Sequence, residues 1–342
     1  MTQSKSPQTY RIAAVQAESA WLDLEAGVDK TCAIIKEAGE KGVDVVGFPE
    51  TFIPGFPFSI YTSAPDQEFV LQYQKNSMVV GSPEYNKIRR AVRDAGIWAV
   101  VGFSERAGST LYLAQSFINP QGEVAHHRRK LKPTHVERYL FGDGMAEDTK
   151  FTTTTDSGLV IGGMNCWEHL QPLWRYYEYA QGVQVHVASW PYLARAKPGV
   201  PNSSSAEVSG DCITRMAAVE GGCFTMACTA TISKAGSEIM KVPTSLGGPA
   251  ATPIEGGGFA AIYHPSGETI AQSKDEFSEE LVIADIDLDD LHRHKQMADC
   301  VGHYSRPDLF HLVVNNETMP RVKLADGSNM HDVTKKILPL DD

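Results

Sequence analysis

Short apolar runs rich in β-branched residues recur along the chain, at residues 12–15, 43–48, 97–103, 159–161, 183–188, 224–227 and 281–286. Most are continuous rather than alternating, the pattern of strands covered on both faces. Such strands need a helical layer, and the polar positions between them supply one. Leu24, Val28, Thr31, Ile35 and Ala38 fall on one helical face, as do Tyr85, Ile88, Val92 and Ala95 after the start signal Ser82-Pro83-Glu84. Asn119-Pro120-Gln121-Gly122 and His264-Pro265-Ser266-Gly267 each separate two apolar runs and predict hairpin turns. The predicted class is therefore α/β with mixed sheets. Residues 197–205 and 242–258 are rich in Gly, Pro, Ser and Thr, but core-type strands resume after each. One domain with long loops is expected, and such loops often wall or cover a binding site.

Composition narrows the function classes. With 342 residues and 42% hydrophobic content, the chain can bury a core without disulfides or metals. A net charge of −11 argues against nucleic acid as a partner, since phosphate binding needs a basic face. No apolar run suits a signal peptide or a membrane span, so a cytoplasmic location is expected, with no membrane partner. The six cysteines, Cys32, Cys166, Cys212, Cys223, Cys228 and Cys300, are widely spaced without a CxxC pair, which suits a reducing compartment.

Three segments carry candidate chemistry. The run ending Val45-Val46-Gly47-Phe48 leads into Pro49-Glu50-Thr51, which puts a carboxylate where a strand leaves the core. Apolar walls raise the proton affinity of such a group toward that of a general base at neutral pH. The plainer reading of this segment alone is an exposed loop carboxylate. Cys166, in Gly162-Gly163-Met164-Asn165-Cys166-Trp167-Glu168-His169, predicts a strand-to-helix elbow. The backbone N–H groups and helix start there favour a thiolate and can hold a developing anion. The third segment, His126-His127-Arg128-Arg129-Lys130-Leu131-Lys132-Pro133, reads as a solvated basic face in an acidic protein, a reading that fits Arg128 and Arg129. Either Lys130 or Lys132 can instead supply a fixed cation, and spacing does not choose between them.

Taken together, FPET at 48–51, RRKLKPTHVER at 128–138 and GGMNCWEH at 162–169 closely resemble the three catalytic motifs of the nitrilase branch of the carbon–nitrogen hydrolases. The similarity continues through AAVQAE at 13–18, IPGFPF at 53–58, HVASWP at 186–191 and VGHYSRPD at 301–308. The resemblance implies Glu50 as base, Lys130 as cationic stabiliser, Cys166 as nucleophile and Glu137 as a second glutamate holding the lysine and water. It implies that Trp167 lends its backbone N–H to the anion hole and that Glu168 orders the site from behind. His169 reads as an ordinary residue at the start of a helix, and His303 as structural or part of an assembly contact. Phe52, Phe141, Trp190 and Tyr192 are the expected pocket walls by the same resemblance, and aromatic walls favour an aryl or arylaliphatic substrate.

The implied fold is a four-layer α-β-β-α sandwich, doubled by dimer contacts and often extended into spirals. On that basis residues 1–317 form a single domain and residues 318–342 a tail that serves as an assembly segment. The implied reaction converts an organic nitrile and water into a carboxylic acid and ammonia through a thioimidate and a thioester on Cys166. No metal and no organic cofactor is called for. A cyanide hydratase or dihydratase and an amidase are the enzymatic alternatives, and an inactive assembly protein is the non-enzymatic one.

Overall fold

The computed structural model describes residues 8–61, 66–195, 205–242 and 255–317, with Val322, Ala325, Pro339 and Leu340. Most of the expected 318–342 tail and of the two Gly- and Pro-rich loops lies outside the described residues. Every one of the seven apolar runs coincides with a strand. The strands are β1 (Thr9–Glu18), β2 (Val45–Gly47), β3 (Trp98–Ala107), β4 (Thr110–Ile118), β5 (Val124–Arg129), β6 (Thr152–Thr154), β7 (Val160–Asn165), β8 (Val185–Trp190), β9 (Phe224–Thr231), β10 (Ala261–Tyr263), β11 (Thr269–Gln272) and β12 (Glu280–Asp287). They join in the order β5-β4-β3-β2-β1-β9-β8-β7-β6, with β12 along β1, β10 along β9 and β11 along β10. Both predicted turns close antiparallel pairs, β4 with β5 and β10 with β11.

This ladder cannot be flat. β4 and β7 stand six places apart in the order, which in a flat sheet is ~29 Å at ~4.8 Å per strand. Yet a Cβ on Gly163 of β7 would lie 3.2 Å from the Phe117 ring of β4, and Gln115 Nε2 of β4 donates to Ser189 Oγ of β8 at 2.9 Å. The sheet therefore folds over where β1 meets β9, at Gln16 to Glu18, and its halves pack face to face.

Alternation along the strands then builds the layers. Ile12, Ala14, Val45, Trp98 and Val100 point between the halves, against Ile161, Val185, Val187, Phe224 and Met226. Their neighbours Ala13, Val15, Val46, Ala99 and Val101 point outward onto two helices. These are α1 (Leu24–Glu40), which buries Val28, Thr31, Ile35 and Ala38, and α3 (Pro83–Ala95), which buries Tyr85, Ile88 and Val92; α2 (Gln67–Lys75) lies between them in sequence. Ser82 caps α3 by accepting from Tyr85 N–H, as its position predicts. Across the other half, α4 (Pro172–Ala180) and α5 (Thr214–Gly221) cover the outer face, where Ala188, Trp190 and Ala227 meet Ala206 and Ala218. Helices thus lie outside both halves of the sheet, which is consistent with the expected α-β-β-α layering. Parallel neighbours such as β1 and β2, or β7 and β8, need crossover connections, and α1 and α4 provide them. Among the described residues no helix is long and apolar enough to cross a membrane.

Candidate active site

Three strand ends converge at one place. The chain leaves β2 at Gly47; Phe48 N–H donates to Val100 O at 2.9 Å and Glu50 N–H to Trp190 O at 3.3 Å. β3 passes close beneath, because a Cβ on Gly102 would stand 2.2 Å from the Pro49 carbonyl, a contact only glycine permits. Glu50 is consequently 1% exposed, so the loop-carboxylate reading does not hold. Lys130 follows directly on β5, and its N–H donates to Leu113 O at 2.7 Å. Its Nζ donates to Glu50 Oε1 and to Glu137 Oε2, both at 2.8 Å. Glu137 lies in a 3-10 turn at His135–Tyr139, and the same Oε2 also accepts from Thr134 N–H at 2.6 Å, which fixes that oxygen in place. Lys132 is half-exposed and paired with Asp143, so the geometry makes the choice between the two lysines that spacing left open.

Cys166 begins a 3-10 turn, Cys166–Leu170, at the end of β7, the elbow expected from its flanking residues. Its Sγ lies within 4.8 Å of a carboxylate oxygen from both Glu50 and Glu137. Glu50 Oε2 is buried and accepts no hydrogen bond among the described residues, which leaves it free to take a proton. Among the described residues, five non-glycine positions have left-handed φ, and three of them belong to this cluster: Thr51 at 47°, His135 at 46° and Cys166 at 48°. Each costs ~1–3 kcal/mol and persists only where surrounding contacts over-determine it.

Electrostatics set the resting state. Burial, reinforced by Glu50, pushes the Cys166 thiol well up, against the lowering effects of Lys130 and the Trp167 N–H. This corrects the expectation of a thiolate: the elbow does present its N–H, but burial outweighs it and the sulfur rests protonated. Burial likewise raises Glu50, with Lys130 opposing and Glu137 adding to the shift. Burial works against the charge on Lys130, but Glu137 and Glu50 outweigh it and hold the ammonium firmly protonated. The arrangement can therefore move a proton from sulfur to a carboxylate of raised affinity beside a permanent cation.

The basic run is a further correction. Arg128 and Arg129 are 0% and 2% exposed, not solvated. Both faces of β5 are covered, so each arginine meets a buried acid. Arg129 pairs with Glu105 at 2.5 and 2.7 Å. Arg128 grips Glu168 at 2.6 and 2.9 Å. Glu168 also accepts from Leu131 N–H and Asn165 N–H, each at 2.9 Å. One carboxylate thus ties the residue after Lys130 to the residue before Cys166. Removing it strands a buried guanidinium, so Glu168→Ala should lose ~3–5 kcal/mol of stability in urea unfolding. A loss under ~1 kcal/mol would show that this link bears no load.

Of the expected aromatic walls, Trp190 packs in the cluster that contains Cys166, and its ring stacks on His169. Phe141 and Tyr192 belong to a neighbouring aromatic cluster with Phe56, Phe58 and Tyr73. Phe52 lies in the core under α1 and α3, against Phe48. His303 is exposed and touches Tyr304. His169 departs from its reading as an ordinary helix-start residue: it is wholly buried and donates from Nδ1 to the Cys166 carbonyl at 2.6 Å. Tyr61 carried no sequence signal; its ring lies 6.4 Å from that of His135, in the turn that holds Glu137.

A "Nitrilase" of Talaromyces marneffei is 45% identical over 310 residues, covering 89% of this chain and 95% of that one. A "Cyanide hydratase" of Armillaria gallica is 44% identical, over 90% and 86% of the two chains. An "Arylacetonitrilase" of Hypocrea virens is 42% identical, over 92% and 94%. The structure of the C. elegans NitFhit protein superposes with a TM-score of 0.69 at 18% identity, over 92% of this chain and 69% of that one, and shares the fold. The sequence pattern of the carbon–nitrogen hydrolase family matches residues 11–296, a span that holds Glu50, Lys130, Glu137 and Cys166. On that match, and on relatives aligned over nearly their whole length, this chain belongs to the carbon–nitrogen hydrolase family.

Proposed function

We propose that the chain is a nitrilase that converts an aryl or arylaliphatic nitrile and water into a carboxylic acid and ammonia. The observation that carries this is the lysine bridge: Lys130 Nζ joins Glu50 to Glu137 at 2.8 Å on both sides, with the Cys166 sulfur within 4.8 Å of both carboxylates. Relatives named nitrilase and arylacetonitrilase support the substrate class, as do the aromatic side chains around the cluster.

In this reading Glu50 takes the thiol proton and sulfur attacks the nitrile carbon. The negative charge that grows on nitrogen meets Lys130 and the Trp167 N–H, and a proton from Glu50 completes a thioimidate. Glu50, again a base, draws a proton from water as the water's oxygen bonds to the same carbon. Glu50 returns that proton to nitrogen and then relays the proton of the new hydroxyl to it as the C–N bond breaks, so ammonia leaves and a thioester remains; a second water releases the acid and restores the thiol. If sulfur leaves before ammonia, the product is the amide. Glu137 holds Lys130 and the water, Glu168 sets the spacing of the two loops, and Trp190, Tyr192 and Phe141 wall the substrate side. The family's usual assembly, a homo-oligomer built from dimers, is part of the same reading, with residues 1–317 as the domain.

Glu50 must be ionised to accept a proton, and burial raises its pKa. The acid limb of the kcat/KM profile should therefore fall above 4.5, the ordinary glutamate value, with activity rising as pH climbs through it. A limb at or below that value would mean that another group is the base. Ammonia release from phenylacetonitrile, benzonitrile, a short aliphatic nitrile and hydrogen cyanide, measured side by side, tests the substrate. The relative named cyanide hydratase makes cyanide the second reading, and turnover of cyanide alone would replace the first.

A further inference from the structure

The Cys166 carbonyl ends a chain of buried groups for which the reaction above has no use. His169 Nδ1 donates to that carbonyl at 2.6 Å, His169 Nε2 meets His186 Nε2 at 2.7 Å, and His186 Nδ1 meets Glu178 Oε1 at 2.7 Å. The three side chains come from the 3-10 turn, β8 and α4, and none is more than 1% exposed. Trp190 stacks on His169 at 5.0 Å and is itself fixed by donating from Nε1 to Thr214 Oγ1.

Proton counting constrains this chain. A carbonyl only accepts, so His169 Nδ1 carries a proton and its Nε2 is a bare acceptor. His186 must then offer an N–H at Nε2, because two lone pairs would otherwise face each other at 2.7 Å. The contact between His186 and Glu178 needs a third proton. Two neutral imidazoles and a carboxylate bring only two, so the set holds one more and is net neutral, as burial demands. Burial first, then His186, keeps His169 itself uncharged, in line with this count.

The carbonyl at the end of the chain belongs to the Cys166–Trp167 peptide, whose N–H reaches the thiol. A hydrogen bond to one end of an amide polarises the other end and makes its N–H a better donor. We propose that His169, His186 and Glu178 are positioning residues that polarise this peptide and so strengthen the Trp167 N–H toward the anion formed on attack. The inference rests on the proposed role of Cys166 as nucleophile.

The test measures the rate of adduct formation on the Cys166 peptide by mass spectrometry with phenylacetonitrile, together with kcat, KM and thermal unfolding. His169→Leu removes the donor to the carbonyl; His169→Asn keeps an N–H in the Nδ1 position but cuts the link to His186. Losing the polarised donor should slow adduct formation about 100-fold in His169→Leu, and losing only the distal chain about tenfold in His169→Asn. KM should stay within about twofold in both, since the interaction strengthens only as charge develops. Glu178→Gln can supply the third proton from its amide and should remain within about threefold of wild type. A role in packing alone predicts the opposite order, with leucine at least as good as asparagine beside Trp190. The proposal is overturned if His169→Leu labels at the wild-type rate, or if its loss matches its unfolded fraction. Should His169→Leu not fold, an unchanged rate in His169→Asn overturns it equally. Unlabelled wild-type Cys166 would instead remove the nucleophile reading, and this inference with it.

Discussion

Cys166→Ala should lower nitrile turnover by at least ~10⁴-fold and abolish the covalent adduct, because no other group in the cluster can attack carbon. The substitution deletes one sulfur from a buried elbow and leaves the Lys130 bridge and the Glu168 link intact. The fold should therefore survive, and a near-wild-type unfolding curve is the control that assigns the loss to chemistry. The other buried cysteines do not substitute: Cys223 and Cys228 sit in the core, where burial pushes both thiols up. Ammonia release above ~1% of wild type in the variant, or an adduct on the Cys212 or Cys223 peptide, would refute the assignment.

Lys130→Met should act on activity and stability together. Lys130, Glu50 and Glu137 are all at most 2% exposed, so removing the ammonium leaves two carboxylates facing each other in a dry site. One of them takes up a proton or the fold weakens, and breaking such a buried arrangement costs ~3–5 kcal/mol. Activity should fall ~10²–10³-fold, the scale of losing one fixed positive group next to a developing anion. The informative measurement is the double variant. Adding Glu137→Gln to Lys130→Met relieves the repulsion and should recover much of the stability in urea unfolding, while activity stays low. If the single variant is as stable as wild type, the ion bridge contributes nothing to folding; if the double variant recovers turnover, Lys130 has no part in the reaction.

Much of this architecture was written in the order of residues. The continuous apolar runs at β1, β3, β8 and β9 mark strands covered on both faces, and the spacing of Val28, Ile35 and Ala38 marks the helix that covers one of them. Ser82-Pro83 and the two hairpin turns are legible because their backbone demands are local. The motifs around Glu50, Lys130 and Cys166 are legible through family resemblance. What no local pattern contains is the fate of charge. Arg128 and Arg129 look like a solvated basic run until both faces of β5 are covered and Glu168 and Glu105 arrive from distant segments. Lys130 and Lys132 are two residues apart, yet only Lys130 has Glu50 and Glu137 within reach. The thiol looked poised to ionise from its elbow alone, and burial reverses that. His169 looked ordinary until His186 and Glu178 closed on it. Sequence by itself determined the elements, since hydrophobic periodicity and turn chemistry act within a few residues, and family resemblance pointed to Glu50, Lys130 and Cys166. The tertiary structure alone decided which charges are paired and where protons rest, because desolvation and Coulomb energy depend on distances between segments that the chain order does not specify.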